Sequence, residues 1–141
     1  MTEQWIQGHV LQRIMFRDGL VLNLDHYNEL VISAPMELTV PPIAGETREV
    51  FPIDPMAVRR EQKPLFDFAG TTCTHAEWDD DGSLHLRFSG GQGIDVRSDD
   101  QHTSWELYGK YHGYAACLPH GRVRVVRHDL PESETATPGA G

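Results

Sequence analysis

A pattern of apolar residues recurs in this chain 64 positions apart. Leu20-Val-Leu-Asn-Leu24 returns as Leu84-His-Leu-Arg-Phe88, and Leu30-Val-Ile32 returns as Ile94-Asp-Val96. In each copy a five-residue break separates the two runs, Asp25-His-Tyr-Asn-Glu29 in the first and Ser89-Gly-Gly-Gln-Gly93 in the second. An Asp-Gly pair precedes each copy, Asp18-Gly19 and Asp81-Gly82. Within the runs apolar and polar residues alternate, and period two is the mark of a half-buried strand. The chain therefore carries two similar antiparallel meanders, about 9–40 and 73–108.

Side-chain parity fixes the turns. Residues that face each other across an antiparallel pair point to the same side of the sheet. A two-residue Asp18-Gly19 loop would put Phe16 out of phase with the leucines. A three-residue loop, Arg17-Asp18-Gly19, sets Phe16 opposite Leu20 and Ile14 opposite Leu22. It needs a positive φ at its third position, which glycine supplies. The same argument gives Asp80-Asp81-Gly82, with Trp78 opposite Leu84 and Ala76 opposite Leu86.

Between the meanders, Pro41, Pro42, Gly45, Pro52 and Pro55 punctuate the chain, so the first half of this segment reads as loop. Asp54-Pro55 has the form of an N-cap followed by proline at the first helical position, which predicts one short helix near 55–63. After the second meander, Trp105–Tyr108, Tyr114–Leu118 and Arg122–Val126 read as three further strands. Residues 129–141 have almost nothing to bury and are expected to form a disordered tail. The fold expected is mainly β (a β-rich α+β chain) and forms a single domain over 1–128. Its two repeated three-stranded meanders and C-terminal strands make a sandwich or a partly open barrel.

At 141 residues such a chain can bury a core without disulfides. Its two cysteines, Cys73 and Cys117, do not form a disulfide framework. The formal net charge of −9 repels phosphate, which argues against nucleic acid and anionic membranes as partners and would steer a basic protein towards the surface. No apolar run is long enough to span a bilayer, and the N-terminus lacks the pattern of a signal peptide, so a cytoplasmic location is expected.

Candidate chemistry concentrates in the second meander. The three-residue loop sets Glu77 opposite His85 and His75 opposite Arg87. If Phe88 pairs with Ile94, Arg87 faces Asp95 and His85 faces Arg97. His75, Glu77, His85, Arg87, Asp95 and Arg97 then share one outer face. Such a patch could do acid–base work or bind an anion; the simpler reading is a solvated ladder of charge pairs of roughly 0.2–1 kcal/mol each. The matching face of the first meander carries Arg13, Met15, Val21, Asn23, Val31 and Ser33, is partly apolar, and suits an interface or cover by the helical segment. The eight histidines show no metal-ligand spacing, and no metal or cofactor is expected. Cys117 beside His120 suggests a nucleophile and a base, but Ala115-Ala-Cys-Leu118 reads as a buried strand. The glycines 90, 91 and 93 join strands instead of opening a helix, which disfavours phosphate binding.

Trp105-x-Leu-x-Gly109, then Gly113, then Cys117-Leu-Pro-x-Gly121, with the Asp81-Gly82 hairpin upstream, resembles a family of small actinobacterial proteins of unknown function. The resemblance spans most of residues 5–128. It departs at His120, where a glycine is expected, and at Lys110-Tyr-His112. It brings no activity and no catalytic residues. Three functional classes follow. The first is a non-catalytic protein-binding or immunity-like protein. The second is a small-molecule-binding barrel. The third is an enzyme using the His75/Glu77/His85 face or Cys117.

Overall fold

Two antiparallel six-stranded sheets face each other in a computed structural model that describes residues 2–42 and 44–128. The strands are β1 (Thr2–Glu3), β2 (Leu11–Arg17), β3 (Gly19–Leu24), β4 (Asn28–Ile32), β5 (Met36–Val40), β6 (Glu49–Ile53), β7 (Cys73–Trp78), β8 (Leu84–Phe88), β9 (Gly93–Val96), β10 (Trp105–Gly109), β11 (Gly113–Leu118) and β12 (Arg122–Arg127). One sheet runs β1-β7-β8-β9-β5-β6 and the other β12-β11-β10-β4-β3-β2. Neither closes on itself, so the architecture is a sandwich and not a barrel. The tail expected at 129–141 lies outside the described residues.

Each meander forms half of a different sheet, and each half-chain completes the other's sheet. The first meander continues into β5 and β6, and β5 pairs with β9 of the second. The second meander continues into β10, which pairs with β4 of the first. The two junctions correspond residue by residue. Leu30 faces Leu107 and Ile32 faces Trp105 at one; Ile94 faces Leu38 and Val96 faces Met36 at the other.

The hairpin registers argued from parity are those observed: Phe16 opposite Leu20, Ile14 opposite Leu22, Trp78 opposite Leu84, Ala76 opposite Leu86. Gly19 and Gly82 both have positive φ, +113° and +87°. Gly82 is doubly constrained. Its carbonyl accepts the buried indole N–H of Trp105 at 2.9 Å, and an added Cβ would lie 2.5 Å from Cys117 Sγ. Between the sheets Leu20, Leu22, Leu30 and Ile32 meet Leu84, Leu86, Ile94 and Val96 in one buried core. Ile14, Phe16 and Trp78 pack at its margin, half-buried.

Three expectations are corrected. The helix near 55–63 is absent. Asp54 does bond the Met56 amide (3.0 Å) and its carbonyl takes the Ala57 amide (3.0 Å), but the chain proceeds as turns to a single 3-10 turn at Lys63–Leu65. The eight residues between Pro55 and Pro64 are too few to overcome the cost of helix nucleation. Next, β6 lies where loop was expected. Pro52 argues against a central strand, but β6 is an edge, where the missing N–H goes unnoticed. Finally, β8 and β9 pair two residues away from the expected register. Leu86, not Phe88, faces Ile94. The break is a three-residue turn, Ser89-Gly90-Gly91, closed by Phe88 N–H to Gln92 O (2.9 Å), with Gly91 at φ +94°. A shift of two preserves parity, so every side chain keeps its face.

Candidate functional site

The outer face of β7-β8-β9 holds most of the residues that the sequence singled out. Glu77 faces His85 and His75 faces Arg87 as expected. The register shift puts His85, not Arg87, opposite Asp95, and removes Arg97 from the ladder to the loop after β9. His85 is held at both nitrogens: Nδ1 is 2.7 Å from Asp95 Oδ1 and Nε2 is 2.8 Å from Asp79 Oδ2. Arg87 donates to the same Asp95 oxygen at 3.1 Å, and His75 Nε2 lies 2.9 Å from Glu77. Asp79, just past the end of β7, escapes a sequence reading that matches strand residues alone. Burial works against charging His85, but hydrogen bonds and charge from Asp95 and Asp79 outweigh it, and its pKa is raised. An imidazole with a carboxylate on each nitrogen has neither a free lone pair nor a proton directed at a substrate. The ladder satisfies itself.

The cysteines are closed to chemistry. Both are buried and free. Burial pushes the Cys73 thiol up to about 12 and raises that of Cys117. Thiolate chemistry needs the opposite shift. Among the described residues no three His, Cys, Asp or Glu side chains are grouped closely enough to hold a metal ion.

A second constellation sits at the end of the sandwich where the β3–β4 and β10–β11 turns meet. Pairing of Asn28 with Gly109 brings these turns together. Asn28 is buried and organises both. Its Oδ1 accepts Trp5 Nε1–H at 2.9 Å, and its Nδ2–H reaches Asp25 O at 2.8 Å. A Cβ at Gly109 would lie 2.6 Å from Asn28 Oδ1 and 2.7 Å from Trp5 Nε1, so any larger residue would push this bonded pair aside. In the β3–β4 turn His26 and Tyr27 have φ of 58° and 61°, the left-handed region that costs roughly 1–2 kcal/mol per non-glycine residue. Asp25 helps to hold the turn with bonds to His9 Nδ1 (2.6 Å) and the Val10 amide (3.2 Å).

That strained turn presents Tyr27 to solvent at 70% exposure, beside Tyr111 at 54%. Their rings are 6.0 Å apart, and Lys110 Nζ sits 4.8 Å from one and 5.6 Å from the other. Trp5 stacks on His112 behind them at 5.5 Å. The tyrosines line an open depression of about 1140 Å³ together with Arg13, Asn23 and Glu29. These three face one another across β2, β3 and β4. Among the described residues none of their side chains has a hydrogen bond or ion pair.

A family model described as Family of unknown function (DUF6188) matches residues 2–127. The chain belongs to this family. No curated protein and no solved structure matches it. The matched span runs from β1 to the last residue of β12, so the DUF6188 unit is the whole sandwich, and both constellations lie inside it.

The sequence carries two signs of the turn-end site. The break Asp25-His-Tyr-Asn-Glu29 has no glycine where its counterpart has three, and Lys110-Tyr-His112 interrupts the family-like pattern. Neither sign points to the other. Tyr27 and Tyr111 are far apart in sequence, and their turns meet through the pairing of β4 with β10 and the Lys110 N–H bond to Tyr27 O (3.1 Å).

Proposed function

We propose that this domain is a non-catalytic protein-recognition module that binds its partner through the turn end, with Tyr27 and Tyr111 as anchors. An immunity-like role, in which the domain covers part of a partner's surface, is one use of such a module. The observation that carries the reading is the exposed Tyr27–Tyr111 pair with Lys110 over both rings, Tyr27 standing in a turn that bears backbone strain. Tyrosine offers a large amphipathic contact at low entropic cost and is enriched at the energetic centres of interfaces. The unpartnered Arg13, Asn23 and Glu29 add directional groups beside the aromatic anchors. An open depression lined by several polar side chains fits a loop or segment of a protein better than a small molecule, which needs an enclosed and mostly apolar pocket. The formal charge of −9 favours approach of a partner with a basic surface.

The test is a comparison of wild type with Tyr27→Ala/Tyr111→Ala as affinity baits in lysate of the native host, followed by titration of the purified partner. A partner retained by wild type should bind the double variant at least ~30-fold more weakly, since two anchors of this kind contribute about 2 kcal/mol or more. Equal affinity for both proteins, with both folded, would rule out the turn end as the binding surface.

A further inference from the structure

Four strands form the edges of the two sheets, and three of them are protected. Strand β1 is only two residues long. Strand β6 carries Pro52. Strand β2 begins with a register shift between Leu11 and Arg13, and the chain beside it is tied to residues 70–72 by Leu11 N–H to Thr71 O (2.8 Å) and Gly70 N–H to Leu11 O (2.6 Å). Short length, proline, bulges and charged side chains are the usual means by which an edge avoids pairing with another chain.

Strand β12 has only the last, in its arginines, and charges of one sign repel a like-charged strand but not an oppositely charged one. Arg122-Val-Arg-Val-Val-Arg127 pairs with β11 without interruption from Arg122 to Arg127 and contains no proline and no glycine. Among the described residues no strand pairs with its other side. Val125 and Val126 point to opposite faces of the sheet, yet both are exposed, at 41% and 48%. Val125 is on the core side, facing Ala115, so the sandwich leaves it incompletely covered. On the outer side Val126 borders a shallow depression of about 310 Å³ formed with Tyr108 and Tyr114. The strand is also a basic stripe on an acidic chain: Arg122 and Arg124 share its outer face and are exposed.

We propose that β12 is a strand-addition site for an extended acidic segment of a partner protein, which extends the sheet beyond β12 and places its carboxylates against Arg122 and Arg124. Main-chain hydrogen bonds along the edge supply affinity, and side chains at alternate positions supply specificity. Opposite charges facing each other across an antiparallel pair are favourable and like charges are not. That selects an acidic strand over a basic one. It also disfavours a second copy of this chain, which would add another set of arginines to the same edge. Apolar residues of the incoming strand would alternate with its acids and cover Val123 and Val125. This surface adjoins the turn end at Lys110 but includes neither Tyr27 nor Tyr111, and its failure leaves the proposed function standing.

The probe is a fluorescent ten-residue peptide of alternating Glu and Val, compared with the same peptide carrying Lys for Glu and with one carrying a central Pro. Anisotropy is read on the full chain, on Arg122→Glu/Arg124→Glu, and on the full chain with Asp129→Asn, Glu132→Gln and Glu134→Gln. The Glu peptide should bind wild type at least tenfold tighter than either control. Arg122→Glu/Arg124→Glu, at exposed positions that the fold does not need, should reverse the preference towards the Lys peptide. Amide signals of residues 122–127 should shift on addition of the Glu peptide to the labelled protein. Equal binding of the Glu and Lys peptides, or no binding to any of the three proteins, would overturn the proposal. So would binding only after the acidic residues 129–134 are neutralised, because the chain's own segment would then be the occupant. A dimer by light scattering that is lost in Arg122→Glu/Arg124→Glu would overturn it in favour of a second copy.

Discussion

The two meanders are alike inside and opposite outside. On the core side Leu22 faces Leu30 in the first as Leu86 faces Ile94 in the second, and all four are buried. On the outside, the second meander closes its charges on one another through Asp79, His85, Asp95 and Arg87. The first leaves Arg13, Asn23 and Glu29 without partners beside two exposed tyrosines. Their turns differ in the same sense. Ser89-Gly90-Gly91 turns with glycine at its positive φ, whereas Asp25-His26-Tyr27 puts His26 and Tyr27 there and bears the strain. The richer set of titratable groups is therefore the less available one. Groups that satisfy each other stabilise a surface, and groups left open can bind something else.

The likeness of the inner faces is open to the largest effect. Leu22→Ala and Leu86→Ala should each destabilise the fold by about 2–5 kcal/mol, and by similar amounts, measured by urea unfolding. A loss confined to one of them would show that the two sheets do not share the core equally.

The contrast between the turns predicts a smaller effect of opposite sign. Tyr27→Gly should raise stability by up to about 1 kcal/mol, because glycine relieves the left-handed strain at the cost of more chain entropy when unfolded. The same change should weaken partner binding. A destabilised Tyr27→Gly would mean that packing of the Tyr27 ring against Tyr111 and Lys110 outweighs the strain it bears.

How much of this is legible in the sequence depends on the range over which each feature is decided. The Asp-Gly hairpins are legible, because parity and one glycine settle a three-residue turn locally. The β8–β9 register is not, because Gly93 reads as loop in the sequence but serves as a strand residue opposite Arg87. Proline at 52 conceals an edge strand for a related reason: whether proline is tolerated depends on which side of the strand has a neighbour. The ladder can be read because its members alternate along adjacent strands. The turn end cannot, since Trp5, Tyr27 and Tyr111 lie on three separate segments that the β4–β10 pairing and Asn28 bring together.

The ladder carries the pH dependence. The pKa of His85 is raised in the fold, so its contribution to stability is fully present below the unfolded value of about 6.5 and is lost as pH rises through the folded value. Melting temperature should therefore fall across that window in wild type, and the fall should flatten in His85→Gln, which keeps a donor and an acceptor but does not titrate. An unchanged slope in His85→Gln would assign the pH dependence to other groups.

The smallest effect is expected at His75. Its contact with Glu77 is a single bond at 2.9 Å, and its side chain is 42% exposed, so water competes for the imidazole. Partly exposed surface pairs contribute between nothing and about 1 kcal/mol, and removing the more exposed member seldom moves stability by more than about 0.5 kcal/mol. His75→Ala should therefore leave the urea midpoint within that margin, and it should leave partner binding untouched, because the residue lies on the face that satisfies itself. Zinc should not shift the melting curve of either protein. A metal bound to the folded state would raise it by mass action. A zinc-dependent rise in wild type that disappears in His75→Ala or in His85→Gln would show that the ladder can open to a ligand, and the contrast between a closed face and an open turn end would no longer hold.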